Sequence, residues 1–211
     1  MEDDRSAELA TVHSEIIACT KCELHKSRKN AVPGEGPIDA KIMFVGEGPG
    51  QNEDEQGRPF VGAAGKLLTE LLESIGIKRS DVFITNVVKC RPPSNRAPRK
   101  GEIETCNPYL MSQIRLVKPR IVCALGTPAI ATLLGGEYSA TRVHGKPTSK
   151  GDVTILPMYH PAAALYDASL KEVLASDFRI LRNLLTDTST HDRHVVKDEQ
   201  ETQRETLEKW V

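Results

Sequence analysis

Four short apolar runs constrain this chain of 211 residues more than any other feature: residues 41–45, 82–88, 120–125 and 153–158. Each is too short for a typical helix and apolar enough to lie in a sheet covered on both faces. The segments between them have helical period. Leu67, Leu68, Leu71, Leu72 and Ile75 fall on one face of residues 64–75, and Gly76 closes the turn. Residues 102–117, 128–134 and 169–185 also read as helices, the last through Leu170, Leu174, Phe178, Leu181 and Leu184. A first helix is expected over residues 6–18, carrying Leu9, Val12, Ile16 and Ile17, with Ser6 as its N-cap. Strands alternating with helices predict an α/β fold with a mostly parallel sheet of four or five strands. In open sheets of this kind the site lies beyond the carboxyl ends of the strands. Three loops end there, residues 46–62, 86–100 and 159–166.

Length and composition set the outer limits. At about 150 residues per domain the chain is one domain with a tail. The domain is taken as residues 1–185 and the tail as 186–211, where seven acidic and four basic residues leave a net charge of −3 and +2 on the rest. The tail reads as solvated or loosely docked. A 39% hydrophobic, 27% charged composition excludes collagen, a coiled-coil rod and a wholly disordered chain. No apolar run approaches the ~18 residues of a membrane span. The N-terminus, Met1-Glu2-Asp3-Asp4, lacks the basic-then-apolar order of a signal peptide, so a cytoplasmic protein is expected. The overall charge of −1 identifies no partner.

The five cysteines say more. An odd number in a reducing compartment does not suggest a disulfide framework. Cys19 and Cys22 form a C-x2-C pair that brings two thiolates to one centre, and Cys90 and Cys106 follow with fifteen residues between them. The pattern points to metal or cluster ligation without choosing the metal. The competing reading is that of small buried side chains, and for Cys123, inside the run at 120–125, it is preferred. Residues 89–100 carry five basic side chains (Lys89, Arg91, Arg96, Arg99, Lys100), no acidic one, and prolines at 92, 93 and 98. A stiff positive loop on a near-neutral protein is a footprint for phosphate, although it also fits a merely solvated loop.

Taken in order, Gly46-Glu47-Gly48-Pro49-Gly50, Glu53-Asp54, Gly57-Arg58-Pro59-Phe60-Val61-Gly62, Thr85-Asn86-Val87-Val88-Lys89-Cys90-Arg91-Pro92-Pro93, Asn95-Arg96 and His160-Pro161-Ala162-Ala163-Ala164-Leu165 resemble the family 4 uracil-DNA glycosylases. The match runs from about Thr11 to Leu185. It implies a three-layer α/β/α sandwich with a four-stranded, mostly parallel sheet, and Cys19, Cys22, Cys90 and Cys106 as ligands of one structural 4Fe–4S cluster per chain. It also implies a monomer that works on uracil-containing DNA. The reaction would be hydrolysis of the bond between uracil and deoxyribose, with water as nucleophile, leaving an abasic site.

The target bond lies inside the base stack, so the nucleotide must be flipped out. The site must then read the base edge, hold the ring and stabilise charge as the bond breaks. Asn86 suits the edge, since an amide offers a donor and an acceptor for uracil O4 and N3–H. Phe60 suits the face. His160 suits the negative charge developing on O2. Glu47, between Gly46 and Gly48, is implicated by the resemblance in placing the water or offsetting an oxocarbenium-like sugar. Glu53 and Asn95 stand behind these, as candidates for the water and for the 86–95 loop. Lys89, Arg91 and Arg96 are expected on the phosphates, and Leu165 in the gap left by the flipped base. Two rivals remain at this stage. One is a relative that traps abasic sites through a histidine in an enlarged loop, although residues 91–101 contain no histidine. The other is a cluster-stabilised nucleic-acid-binding module without catalysis.

Overall fold

In the computed structural model, which describes residues 2–186, every residue of the central strands is buried and successive residues face opposite layers. Met43, Val45, Val122 and Ala124 point into one hydrophobic layer, and Ile42, Phe44, Ile121, Cys123 and Leu125 into the other. Burial on both sides explains why these strands read as unbroken apolar runs rather than as alternating ones.

In chain order the elements are α1 (Glu2–Ala18), β1 (Ile42–Gly46), α2 (Gln51–Gln56), α3 (Ala63–Ser74), β2 (Phe83–Asn86), α4 (Lys100–Val117), β3 (Ile121–Leu125), α5 (Thr127–Leu134), α6 (Ala140–Val143), β4 (Thr148–Lys150), β5 (Val153–Met158), α7 (Ala163–Tyr166) and α8 (Ser169–Thr186). The strands form one sheet in the order β2-β1-β3-β5-β4. All pairs are parallel except β4 with β5. Helices α1, α4 and α5 supply side chains such as Leu9, Leu110, Ile114 and Ile130 to one face. Helices α3 and α8 cover the other with Leu68, Leu72, Leu174, Phe178 and Leu181. The α/β/α sandwich is therefore as expected.

The differences are local and physical. The sheet has five strands rather than four, because Thr148–Lys150 adds an antiparallel edge. That strand is short and mostly exposed, so it carries no apolar signal. The first helix starts at Glu2, so Ser6 is an interior residue and not the N-cap. Loop 46–62 contains a helix, α2, whose polar sequence QNEDEQ has no apolar face to announce it. Apart from Thr186, the tail lies outside the described residues. Cys123 is fully buried, as expected of a core thiol.

The chain passes from β1 to β2 on one side and then to β3 on the other side of β1. The strand order thus reverses at β1, and the carboxyl end of the sheet opens there. Across the α3/α8 layer Phe178 stacks on Phe44, with centroids 5.8 Å apart and planes at 14°, and neither ring is accessible to water. Phe178→Ala is expected to lower the free energy of unfolding by about 3–5 kcal/mol. Urea denaturation followed by circular dichroism checks this; a loss below ~1 kcal/mol would mean that α8 does not anchor this layer.

Candidate active site

Register builds the site first. The parallel pairing of β1 with β2 sets Gly46 beside Asn86 at the last rung of both strands. A methyl group on Gly46 would run into the Asn86 amide oxygen and come within 2.8 Å of the Phe60 ring. Only glycine lets the amide and the ring meet there. The Asn86 Oδ1 is buried and has no hydrogen-bond partner, a costly state for a carbonyl-type oxygen in a folded protein.

Phe60 arrives on the loop between α2 and α3 in a left-handed conformation, φ +50°, unusual for a phenylalanine. Its surroundings force that shape. A side chain on Gly65, in the first turn of α3, would overlap the Phe60 carbonyl. On the other side the Glu53 carboxylate accepts from the main-chain N–H groups of Val61 and Gly62, both at 2.9 Å, and of Gly50 at 3.1 Å. Glu53, expected near the water, is thus taken up with holding two loops together. It still shares the cavity with the catalytic candidates.

His160 follows β5, two residues past its end. Its ring stacks on Phe60 at a centroid distance of 5.4 Å and an angle of 25°. The Ala162 N–H donates to Nδ1 at 3.1 Å. An Nδ1 that accepts cannot carry a proton, so the remaining proton lies on Nε2. Burial favours the same neutral ring: it pulls the His160 pKa down to about 4, against the opposing pull of the Glu53 carboxylate. Burial also pushes the Glu47 carboxyl above its ordinary value of 4.5.

These residues share one cavity of about 390 Å³, lined among others by Glu47, Gly48, Phe60, Asn86, Asn95 and His160. Pro92, one of the prolines of the basic loop, also lines it, as does Ala64, which carried no sequence signal. Asn95, left-handed at φ 54°, accepts from Arg91 Nε at 2.7 Å and so closes the 91–95 loop. Ala162 lines the cavity, and α7 after it exposes Leu165 (46%) and Tyr166 (93%).

The basic loop divides. Lys89 does not face outward: it is 1% exposed and donates to Thr85 Oγ1, the Asn86 main-chain oxygen and Gln113 Oε1 at 2.6–2.7 Å. The expectation of a phosphate contact at Lys89 is corrected, because strand β2 ends by turning this side chain inward. Arg96 lines the cavity, but a bidentate pair with Glu102 at 2.6 and 2.9 Å offsets its charge. Arg91 donates to the neutral amide oxygen of Asn95, a lining residue of the cavity.

A second cavity is lined by Cys19, Cys22, Cys90 and Cys106 together, with His25, Lys89 and Tyr109. All four thiols are free of disulfides. Arg28 donates to Cys90 Sγ at 3.0 Å. Burial pushes the Cys90 and Cys106 thiols up, and the charges of Arg28 and Lys89 offset only part of that rise. Among the described residues no three such side chains are gathered tightly enough for a single ion. Four cysteines lining one cavity are the all-thiolate donor set that iron–sulfur clusters take, so the residues present suit such a group by their chemistry. Sequence reasoning missed Arg28, although it follows Cys22 in a basic stretch.

An α/β sandwich with a buried amide, an aromatic face and a neutral imidazole in one strand-end cavity defines a pocket for a flat heterocycle. A family model described as the uracil DNA glycosylase superfamily matches residues 33–182, and the chain belongs to that superfamily. Within it the chain is similar to proteins named type-4 uracil-DNA glycosylase, so the motif resemblance holds. That of Sulfurisphaera tokodaii is 50% identical over 185 residues, covering 83% of this chain and 84% of the relative. That of Archaeoglobus fulgidus is 48% identical, covering 81% and 89%. That of Thermotoga maritima is 44% identical, covering 84% and 95%.

Gly46→Ala is expected to fill the space between Asn86 and Phe60. Uracil release should fall at least a hundredfold, in line with the cost of misplacing a binding group by about 1 Å, with about 1–3 kcal/mol of stability lost to overpacking, short of unfolding the protein. Release at the parent rate would show that the amide and ring do not need this gap.

Proposed function

We propose that the chain flips uracil out of DNA and removes it by hydrolysis, leaving an abasic site in base-excision repair. The observation that carries this reading is the convergence of Asn86, Phe60 and His160 on one cavity. The unpartnered oxygen of Asn86 accepts from uracil N3–H while the amide nitrogen donates to O4. Cytosine offers the opposite order at this edge and leaves the amide mismatched. Phe60 covers the face of the base, worth roughly 1–3 kcal/mol.

Bond cleavage sends the electron pair of the sugar–base bond onto uracil, and the charge gathers on O2. The His160 Nε2–H donates to that oxygen. Because the Nδ1 side is occupied by the Ala162 N–H, the ring donates while staying neutral, and its proton need not leave. Glu47 as carboxylate offsets the positive sugar and takes the proton of the water that attacks C1′. Arg91 and Arg96 face the phosphates, and Leu165 fills the gap in the stack. No described helix is long and apolar enough to cross a membrane.

Cys19, Cys22, Cys90 and Cys106 hold a 4Fe–4S cluster. When bound it would supply a covalent cross-link between the segment after α1, the start of the loop that follows β2, and α4, and hydrolysis asks no electron of it. Anaerobically purified protein should be brown with about four irons per chain. Colourless, zinc-loaded protein would overturn this assignment.

Asn86→Asp or His160→Ala should lower uracil release from a synthetic duplex by orders of magnitude while duplex binding survives. The pH profile tests Glu47. Its raised pKa means that the carboxylate is lost first as pH falls, while His160 stays neutral down to about 4. The rate should therefore fall on the acid side from above 4.5. Glu47→Gln should lower the rate about 10²–10⁴-fold and abolish that limb. An acid limb unchanged in Glu47→Gln would remove Glu47 from the proton transfer.

A further inference from the structure

Lys89 presents a buried ammonium that the reaction above does not use. It donates to Thr85 Oγ1 at 2.6 Å, to the Asn86 main-chain oxygen at 2.7 Å and to Gln113 Oε1 at 2.7 Å, so all three of its hydrogens are engaged. The acceptors are themselves fixed. Gln113 Nε2 donates to the Pro33 carbonyl at 2.7 Å, which turns Oε1 toward the lysine. Thr85 Oγ1 lies 2.9 Å from the same carbonyl. The backbone of residue 89 is pinned as well, its oxygen accepting from Val32 N–H at 2.7 Å. Burying a cation on neutral acceptors is expensive, and an apolar side chain of similar length would fill the space without that cost. What the ammonium does that an apolar chain could not is grip the carbonyl of the residue that reads the base.

We propose that Lys89 is a positioning residue for base recognition: its ammonium clamps the Asn86 peptide and so sets the direction in which the Asn86 amide points into the uracil cavity. This deepens the reading of the cavity as a uracil site and rests on it. Three residues separate Asn86 from Cys90. The clamp thereby ties the amide to the segment that the thiol cavity holds.

The test is a double-mutant cycle read by single-turnover uracil release from a duplex. Lys89→Met is compared with its parent in the unmodified, Asn86→Ala and His160→Ala backgrounds. Iron content, visible absorption and duplex binding are measured on each sample. Lys89→Met should slow release about tenfold alone and in His160→Ala, and should cost nothing in Asn86→Ala, as expected of coupled neighbours. A rate equal to the parent, or an equal loss in Asn86→Ala, would overturn the clamp, since a general loss of fold would not spare one background. If Lys89→Met fails to keep its iron, Thr85→Val takes its place by removing one of the three acceptors. It should cost about threefold and show the same dependence on Asn86; parent rates there would equally sink the proposal. Absence of uracil release by the unmodified protein would instead overturn the reading of the cavity itself.

Discussion

The site depends on the close approach of two strand ends. Where β1 and β2 finish, Gly46 and Asn86 are paired in register, and the lack of a side chain on Gly46 opens the gap in which the amide of Asn86 and the ring of Phe60 face each other. Neither residue could be moved there by a loop alone. The amide is carried by a strand buried on both faces, whose position is set by the whole sheet. The ring is carried by a loop forced into a left-handed turn between the Glu53 carboxylate and the first turn of α3. One element is stiff by packing and the other by hydrogen bonds to its backbone. A cavity that must recognise a base by edge and face at once needs both kinds of stiffness, because half an ångström of slack on either side would admit the wrong edge.

Burial then divides the labour between the two titratable groups. It moves both pKa values toward the neutral species, down for His160 and up for Glu47. For the imidazole the shift is large and the ring is neutral at working pH. A neutral donor suits an oxygen whose charge only develops as the bond breaks, since it adds no fixed positive charge beside the positive sugar. For the carboxyl burial works against the charged form, and in the proposed reaction it is that anion that faces the sugar side. The Ala162 N–H on Nδ1 makes the same choice by geometry that burial makes by electrostatics. That Ala162 contributes through its backbone explains why its small apolar side chain is tolerated at the cavity wall.

Much of this was legible in the chain itself. Strand runs buried on two faces give continuous apolar sequence, and the helices that cover them give a period of 3.6, so the sandwich and the location of the site could be read directly. Asn86, Phe60 and His160 could be singled out because each is a poor fit to its surroundings: an amide at a strand end, a phenylalanine in a glycine-rich loop, a histidine after a strand. What escaped has common physical causes. β4 and α2 are short and polar, and tertiary contacts rather than pattern decide them. Lys89 has the same composition signal as Arg91, but the chain bends over residues 87–90 after β2, and no charge count records which way a side chain points there. Glu53 gave no sign of its bracing role because its partners are backbone N–H groups, which every sequence contains.

The inward turn of Lys89 also bears on why a hydrolytic enzyme would keep four cysteines around one cavity. The segment after β2 must leave a buried strand, present a polar and proline-rich loop at the cavity mouth, and return to α4. Between Arg91 and Arg99 it offers no large apolar side chain to pack, so hydrophobic burial cannot hold it. Its fixed points are polar or covalent instead: Arg91 to Asn95, Arg96 to Glu102, the lysine on the Asn86 carbonyl, and Cys90 and Cys106 facing the cavity they share with Cys19 and Cys22. A cross-link through those thiols would shorten the free length of the loop from both ends. The entropy that a mobile loop loses on meeting DNA would then be lost already on folding, and the amide four residues before Cys90 would inherit the same rigidity.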